Sequence, residues 1–483
     1  MTGSRTASRF YEDILMVFSS LFFFFLFLPL FLVLYYVLPK RVKNYVLLLF
    51  SLVFYAWGEP VYVFLMLGMT LSDYILGRIM NRFDEAPKKR RLCLILSVVI
   101  DLSCLAFFKY AGFLLETVNA IPGVMIRFKE IALPIGISFF TFQTMSYTID
   151  LYRREVTVEK NYLEYLMYVS MFPQLIAGPI VRYKTVKEEL HERTIRRDEV
   201  VDGAMRFVYG LLKKVLLANR LGTLFDEAVA AANPSMAFAW MGAVAFTLQL
   251  YLDFSAYSDM AIGLGQMLGF HFNENFKYPL AADSVTEFWR RWHISLSSWF
   301  RDYVYIPLGG NRCKMPRQIF NLAVVWFLTG LWHGASWNYV LWGVYYGILL
   351  CLEKFVYGKK LEKAPKVIRH IYLCFIVVVG FTLFAIEDFK KMTAYLSHMF
   401  APRGGICDSG ILFYLQNYGF VLAVAILVSL PLFPVLKRKL ETAGKKTQWV
   451  LGTCYAVLVA ALFLVAISYM VADTYNPFLY FRF

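Results

Sequence analysis

Apolar residues run along this chain in long stretches rather than in strict alternation. The first, from Ile14 to Leu38, is nearly continuous and exceeds the roughly 18 residues a helix needs to cross a bilayer. Further apolar runs lie near 44–57, 61–77, 92–110, 133–149, 162–180, 203–219, 236–252, 256–270, 318–350, 367–386, 411–433 and 448–471. Charged or Gly/Pro-containing breaks separate them. Two runs, 133–149 and 162–180, carry Pro134, Gly136, Pro173, Gly178 and Pro179. Broken backbone at membrane depth persists only where protein or a watery cavity satisfies it, so these runs predict re-entrant elements beside a cavity. The pattern therefore predicts an all-α polytopic membrane protein with about 11 transmembrane helices plus re-entrant and interfacial helices.

Composition excludes a soluble reading. Of 483 residues, 59% are hydrophobic and only 17% charged, more apolar surface than a soluble domain of this size buries. The first run ends at Pro39, Lys40 and Arg41 without a small-residue cleavage site, so it is a retained helix rather than a signal peptide. The stretch Thr2 to Arg9 is polar with no apolar period, and we expect residues 1–15 to be a dispensable extension of a single membrane domain, 16–483. The net charge of +15 sits in short loops beside apolar runs rather than along one face, which points to positive-inside bias and anionic lipid and away from nucleic acid. Lys40, Arg41 and Lys43, then Arg78 to Arg91, mark two loops as cytoplasmic and the N-terminus as outside. The loop around 181–200 and the segment 271–317 read as cytoplasmic on the same ground. No internal repeat accompanies the runs, which weakens an inverted-repeat transporter. The seven cysteines form no CxxC pair, so neither a disulfide framework nor a zinc site is expected.

Two polar interruptions carry candidate chemistry. In the stretch 283–303, Ser284 and Glu287 fit a capping box. Val285, Phe288, Trp292, Leu296, Trp299 and Tyr303 then follow at three- and four-residue steps, which predicts one amphipathic interfacial helix with Arg290, Arg291 and Arg301 on its wet side. His293 falls on the flank of its apolar stripe. In the second, His333 interrupts about 30 apolar residues long enough for one kinked or two short crossings, and Gly330 and Gly334 bracket it, leaving room for a substrate to approach the ring. An ionisable residue at membrane depth is a functional candidate by default. Imidazole, with an unperturbed pKa near 6.5, can take a hydroxyl proton at neutral pH. No GxSxG elbow accompanies it, so direct attack of an acceptor hydroxyl on a thioester is the simplest mechanism. His333 and His293 are thus the candidate catalytic residues. Ser336 and Asn338 are candidate oxyanion donors and, with Arg290, Arg291 and Trp332, candidate substrate-binding residues. Asp253 and Asp259 point apart on a helix, Asp101 and Lys109 read as pairing near a helix end, and the remaining histidines show no metal-ligand spacing.

Four blocks resemble the membrane-bound O-acyltransferase family, and specifically its bacterial branch for polysaccharide modification. They are Met16-Val-Phe-Ser-Ser with Phe54-Tyr-Ala-Trp-Gly-Glu-Pro60; Leu133-Pro-Ile-Gly-Ile-Ser-Phe-Phe-Thr-Phe-Gln143; Glu287 to Ser298 with Arg301 to Arg312; and Thr329-Gly-Leu-Trp-His-Gly-Ala-Ser-Trp337. With the Asn476 to Phe483 ending they span nearly the whole chain. The resemblance implies tilted helices around a central tunnel leading to His333, with His293 as the family's second histidine. It implies no bound cofactor and no metal, acetyl-CoA as cytoplasmic acyl donor, an exported SGNH-type partner protein, and a polysaccharide acceptor, all at the cell membrane. D-alanyl transfer from a carrier protein towards teichoic acid is the alternative within the family. A polysaccharide or lipid-carrier transporter, or a non-catalytic scaffold, is the alternative outside it.

Overall fold

The computed structural model describes residues 16–121, 123–128, 131–472 and 478–479. Residues 1–15 and most of the 476–483 ending lie outside the described residues. The chain is an all-α polytopic membrane protein. Among the described residues seven helices are long and apolar enough to cross a membrane: Tyr62–Arg82, Pro87–Asn119, Met236–Leu268, Trp337–Leu361, Lys366–Ala385, Gly410–Val428 and Lys445–Ala472. Lys40–Gly58 and Met315–His333 match the shortest of these at 19 residues. The described chain divides into two compact units.

The first unit runs to Phe207 and includes Ser258–Asn273. Its centre is three helices, α1 (Tyr62–Arg82), α2 (Pro87–Asn119) and α3 (Ile137–Tyr152). α3 is buried nearly all round although it carries Thr141, Gln143, Thr144, Ser146, Thr148 and Asp150. The predicted break before it is real. Gly136 adopts φ 76°, and a Cβ there would stand 2.9 Å from the Leu175 carbonyl oxygen. Both backbone groups of Ile135 are satisfied by side chains. Its N–H donates to Glu59 Oε1 at 3.0 Å and its carbonyl accepts from the Tyr55 hydroxyl at 3.0 Å. The second interrupted run is likewise tied down, since Ser51 Oγ accepts from the Phe172 N–H and the Gln174 amide donates to the Tyr168 carbonyl.

Two charge placements differ from the sequence reading. Asp101 lies mid-helix in α2, fully buried, as is Asp73 on α1. Ser97 donates to Asp73 at 2.5 Å and Thr144 to Asp101 at 3.1 Å. Lys109, two turns further along, sits 3.4 Å from Ser138 Oγ. Arg90, one of the basic residues that flank the first loops, is itself buried. It pairs with Asp84 at 2.6 Å and donates to the Leu151 and Tyr152 carbonyls, binding the end of α3 to the start of α2.

The second unit holds Val208–Tyr257, Glu274–Ala472 and, among the described residues, Phe478 and Leu479. The runs 236–252 and 256–270 are one helix, α4 (Met236–Leu268), because Asp253 does not break it. Its carboxylate pairs with buried Lys214 at 2.6 Å and accepts the Leu479 N–H at 2.7 Å. The predicted amphipathic helix over 284–303 is instead two short helices, α5 (Val285–Arg291) and α6 (Ile294–Phe300), followed by a π turn at Arg301–Tyr305. The 30-residue run divides into α7 (Met315–His333) and α8 (Trp337–Leu352), with α9 (Lys366–Ala385) following. The seven cysteines form no disulfide, and Cys407 and Cys454 are exposed.

The bond that Asp101 accepts from Thr144 makes a testable difference between two substitutions. Asp101→Asn keeps a hydrogen-bonding group and should change stability by less than about 1 kcal/mol, whereas Asp101→Leu strands Thr144 at about 1–3 kcal/mol. Thermal unfolding in detergent compares them; equal damage from both would contradict a hydrogen-bonding role for Asp101.

Candidate active site

The site begins with how α5 starts. Ser284 Oγ accepts the Glu287 N–H at 3.1 Å, one half of the expected capping box. The other half is replaced. Glu353, in the π turn after α8, accepts the N–H groups of Val285 and Thr286 at 2.9 and 2.8 Å, putting a buried carboxylate on the positive end of the helix. Glu287 is thereby free to pair with Arg291 at 2.8 Å and Arg290 at 3.6 Å.

α5 ends because the chain turns over at Trp292 and His293. Trp292 is extended and His293 is left-handed, φ 45° and ψ 55°, a conformation costing about 1–3 kcal/mol in a non-glycine residue. The segment 275–277 holds it there. The Asn275 carbonyl accepts the Ile294 N–H at 3.0 Å, and the Lys277 N–H donates to the Arg291 carbonyl at 3.0 Å. The consequence is that His293 does not lie on the flank of a helix, as the periodicity predicts, but turns inward. It is buried, with ring centres of Phe254 at 4.7 Å and Trp332 at 5.8 Å. Burial pushes its pKa down to about 3, so the imidazole is neutral across the physiological range.

His333 is the last residue of α7. Its ring is boxed by Trp332 and Trp342, each at 5.0 Å, and Phe384 at 5.3 Å, all edge-on. Its bracketing glycines serve the following helix rather than a substrate. A Cβ on Gly330 would come within 2.5 Å of the Tyr339 carbonyl oxygen, and one on Gly334 would strike the Tyr339 ring. Gly343 on α8 faces Gly330 in the same way. Gly343 and Gly347, four apart on α8, pack against Gly330 and Trp326 of α7, the close approach that small residues allow.

His293 and His333 face one cavity of about 470 Å³. Trp289, Trp326, Ser297, Thr286 and Thr329 also line it. His333 further borders a void of about 20 Å³ with Trp342 and Phe384. Of the other candidates, Arg290 lines the cavity, while Arg291 is held by Glu287 beside it. Trp332 contacts both imidazole rings without lining the cavity. The Asn338 amide donates to the Phe384 carbonyl at 3.0 Å, and Ser336 precedes α8 with no capping bond from its side chain. Neither is among the lining residues. Sequence reasoning missed Asn275, Glu353 and Trp342, and placed Arg301 on the wet face without linking it to the site it lines. Asn275 lies in a polar loop with no periodicity, and Glu353 follows an apolar run, so only the fold reveals their partners.

Elsewhere Glu159, Glu164 and His191 converge within 4.8 Å. Both nitrogens of the His191 ring face carboxylates, at 3.3 and 3.0 Å, and Glu159 also accepts from Tyr183 and two backbone N–H groups. This arrangement reads as an imidazole bridging two acids.

The MBOAT, membrane-bound O-acyltransferase family, matches residues 129–378. The chain is 39% identical to the probable alginate O-acetylase AlgI of Azotobacter vinelandii, over 97% of this chain and 100% of that protein. It is 29% identical to a peptidoglycan O-acetyltransferase of Helicobacter pylori, over 97% and 98%. Over 53% of its length it is 28% identical to a teichoic acid D-alanyltransferase of Bacillus subtilis, covering 69% of that protein. These matches lead to one conclusion: the chain belongs to the membrane-bound O-acyltransferase family.

Proposed function

We propose that this membrane O-acyltransferase moves an acetyl group from cytoplasmic acetyl-CoA to an exported or cell-surface polysaccharide. The observation that carries the reading is the cavity shared by His333 and His293. His333 is the general base. As an acceptor hydroxyl attacks the thioester carbonyl, its proton passes to the neutral imidazole; collapse of the tetrahedral oxyanion expels the thiolate, which takes that proton back. His293 positions a reactant beside it. The aromatic walls exclude water, which would otherwise hydrolyse the thioester. No bound cofactor or metal enters this scheme. An exported SGNH-type partner and the inner-membrane setting follow from the family resemblance. Similarity to the teichoic acid D-alanyltransferase keeps a carrier-borne D-alanyl donor as the alternative for the same site.

His333→Ala should lower acyl transfer roughly 10²–10⁴-fold, the usual worth of a general base, while acetyl-CoA still binds. His293→Ala should also slow turnover, and the double variant should be little worse than His333→Ala. Acyl incorporation per inserted molecule is the measure. Near-normal incorporation by His333→Ala would favour a transporter or scaffold.

Arg290 and Arg301 put two cations at the cavity, which suits a polyanionic donor. Arg290→Ala should raise KM for acetyl-CoA several-fold with little change in kcat, and Arg291→Ala should raise it less; the reverse order would refute the assignment.

The basic loop Arg78–Arg91 faces the cytoplasm in this scheme, with the N-terminus outside. After Cys407 and Cys454 are changed to Ser, a cysteine at exposed Lys88 should react with an impermeant reagent only in opened cells. Labelling of intact cells would invert the topology.

A further inference from the structure

The hydrogen bonds around His293 fix more than its place. Asn275 is fully buried, and its Oδ1 lies 3.2 Å from the Ser295 backbone nitrogen, 2.9 Å from Ser295 Oγ and 3.1 Å from His293 Nδ1. A backbone N–H can only donate, so the Asn275 atom facing it is the carbonyl oxygen and not the amide nitrogen. His293 Nδ1 faces that same oxygen, and the Ser295 hydroxyl, 3.4 Å from Nδ1, gives its own hydrogen to Asn275 Oδ1 at 2.9 Å, so Nδ1 carries the hydrogen. A neutral imidazole has one N–H, which leaves Nε2 a bare lone pair. Nε2 is buried and has no hydrogen-bond partner among the described residues. Backbone bonds from 275 and 277 to 294 and 291 keep Asn275 fixed to the turn that presents the ring.

We infer that Asn275 is a positioning residue of the acyl transfer, locking His293 in the Nδ1–H tautomer so that Nε2 accepts a hydrogen bond from a hydroxyl of the acceptor. The inference rests on the participation of His293 proposed above and makes it specific. A bare Nε2 can hold a hydroxyl, which donates, but not a thioester carbonyl, which accepts. His293 therefore serves the acceptor rather than the acyl donor. Because the attacking hydroxyl gives its proton to His333, the group held by His293 is a second hydroxyl, as neighbouring positions of a sugar ring provide.

Substituting Asn275→Asp changes one atom and inverts the lock. A carboxylate at Nδ1 favours the imidazolium, which places a proton on Nε2 and abolishes its acceptor lone pair. Among the described residues no carboxylate is seen in contact with the ring. Arg290 pairs with Glu287, Arg301 with Asp302 and Asp253 with Lys214; His333 shares the cavity, and Glu274 and Lys277 flank Asn275 in sequence.

The test uses the full chain in membrane vesicles with radiolabelled acetyl-CoA and alginate oligosaccharides, following thiol release and acyl incorporation from pH 5 to 8. In wild type His293 stays neutral throughout and adds no pH dependence. Asn275→Asp should approach the wild-type rate near pH 8 and fall away from it as pH drops through the raised pKa of its His293, with acetyl-CoA binding intact. Asn275→Ala should fall without the new pH dependence. A wild-type rate and profile for Asn275→Asp, with His293→Ala inactive, would overturn the role of Asn275 and leave that of His293; an active His293→Ala would overturn the underlying reading instead. Should the variants fail to insert, nitrogen-15 NMR of histidine-labelled wild type decides, with the His293 signal assigned by its loss in His293→Ala. The Nδ1–H tautomer supports the inference and the Nε2–H tautomer refutes it.

Discussion

Hydrocarbon offers no water to a backbone group that leaves a helix, so every break in this bundle needs a partner from within the protein. The architecture of the site follows from how that requirement is met. At Ile135 a tyrosine and a glutamate take the two freed backbone groups. At Arg291 and Ile294 the segment 275–277 does so. At the start of α5 a glutamate from beyond α8 takes two N–H groups at once. These partners allow the chain to stop one helix and restart another inside apolar surroundings, and the second break is what points His293 into a cavity. A continuous helix through 284–303 would have left that ring on its flank.

The sequence therefore made the existence of the spans legible, since their signal is length and hydropathy, and it made His333 legible, since an ionisable residue within an apolar run is conspicuous. The break before α3 was readable from Pro134 and Gly136. What periodicity could not reveal was the split at Trp292–His293. The apolar positions from Val285 to Tyr303 keep helical spacing across a turn that is not helical, and the force that bends the chain there comes from a loop earlier in sequence. Asp253 misled in the opposite sense: it reads as a break but is neutralised by Lys214 inside one long helix. The glycines around His333 were visible while their purpose was not, because Tyr339 fills the space a substrate would have used.

The same physics joins fold to chemistry. Close approach of α7 and α8 brings Trp342 against His333, and the left-handed turn brings His293 against Trp332. The two imidazoles thus share walls of aromatic rings as well as a cavity. The two rings are buried, while the cavity's two arginines, Arg290 and Arg301, are exposed and pair with Glu287 and Asp302.

If one acyl transfer takes place between His333 and His293, a structure of the protein with a non-reactive thioether analogue of acetyl-CoA will show the analogue's carbonyl in the cavity that both rings line, with room for a hydroxyl within about 3 Å of a His333 nitrogen. An analogue bound with its carbonyl outside that cavity, in a protein that still turns over acetyl-CoA, would contradict it.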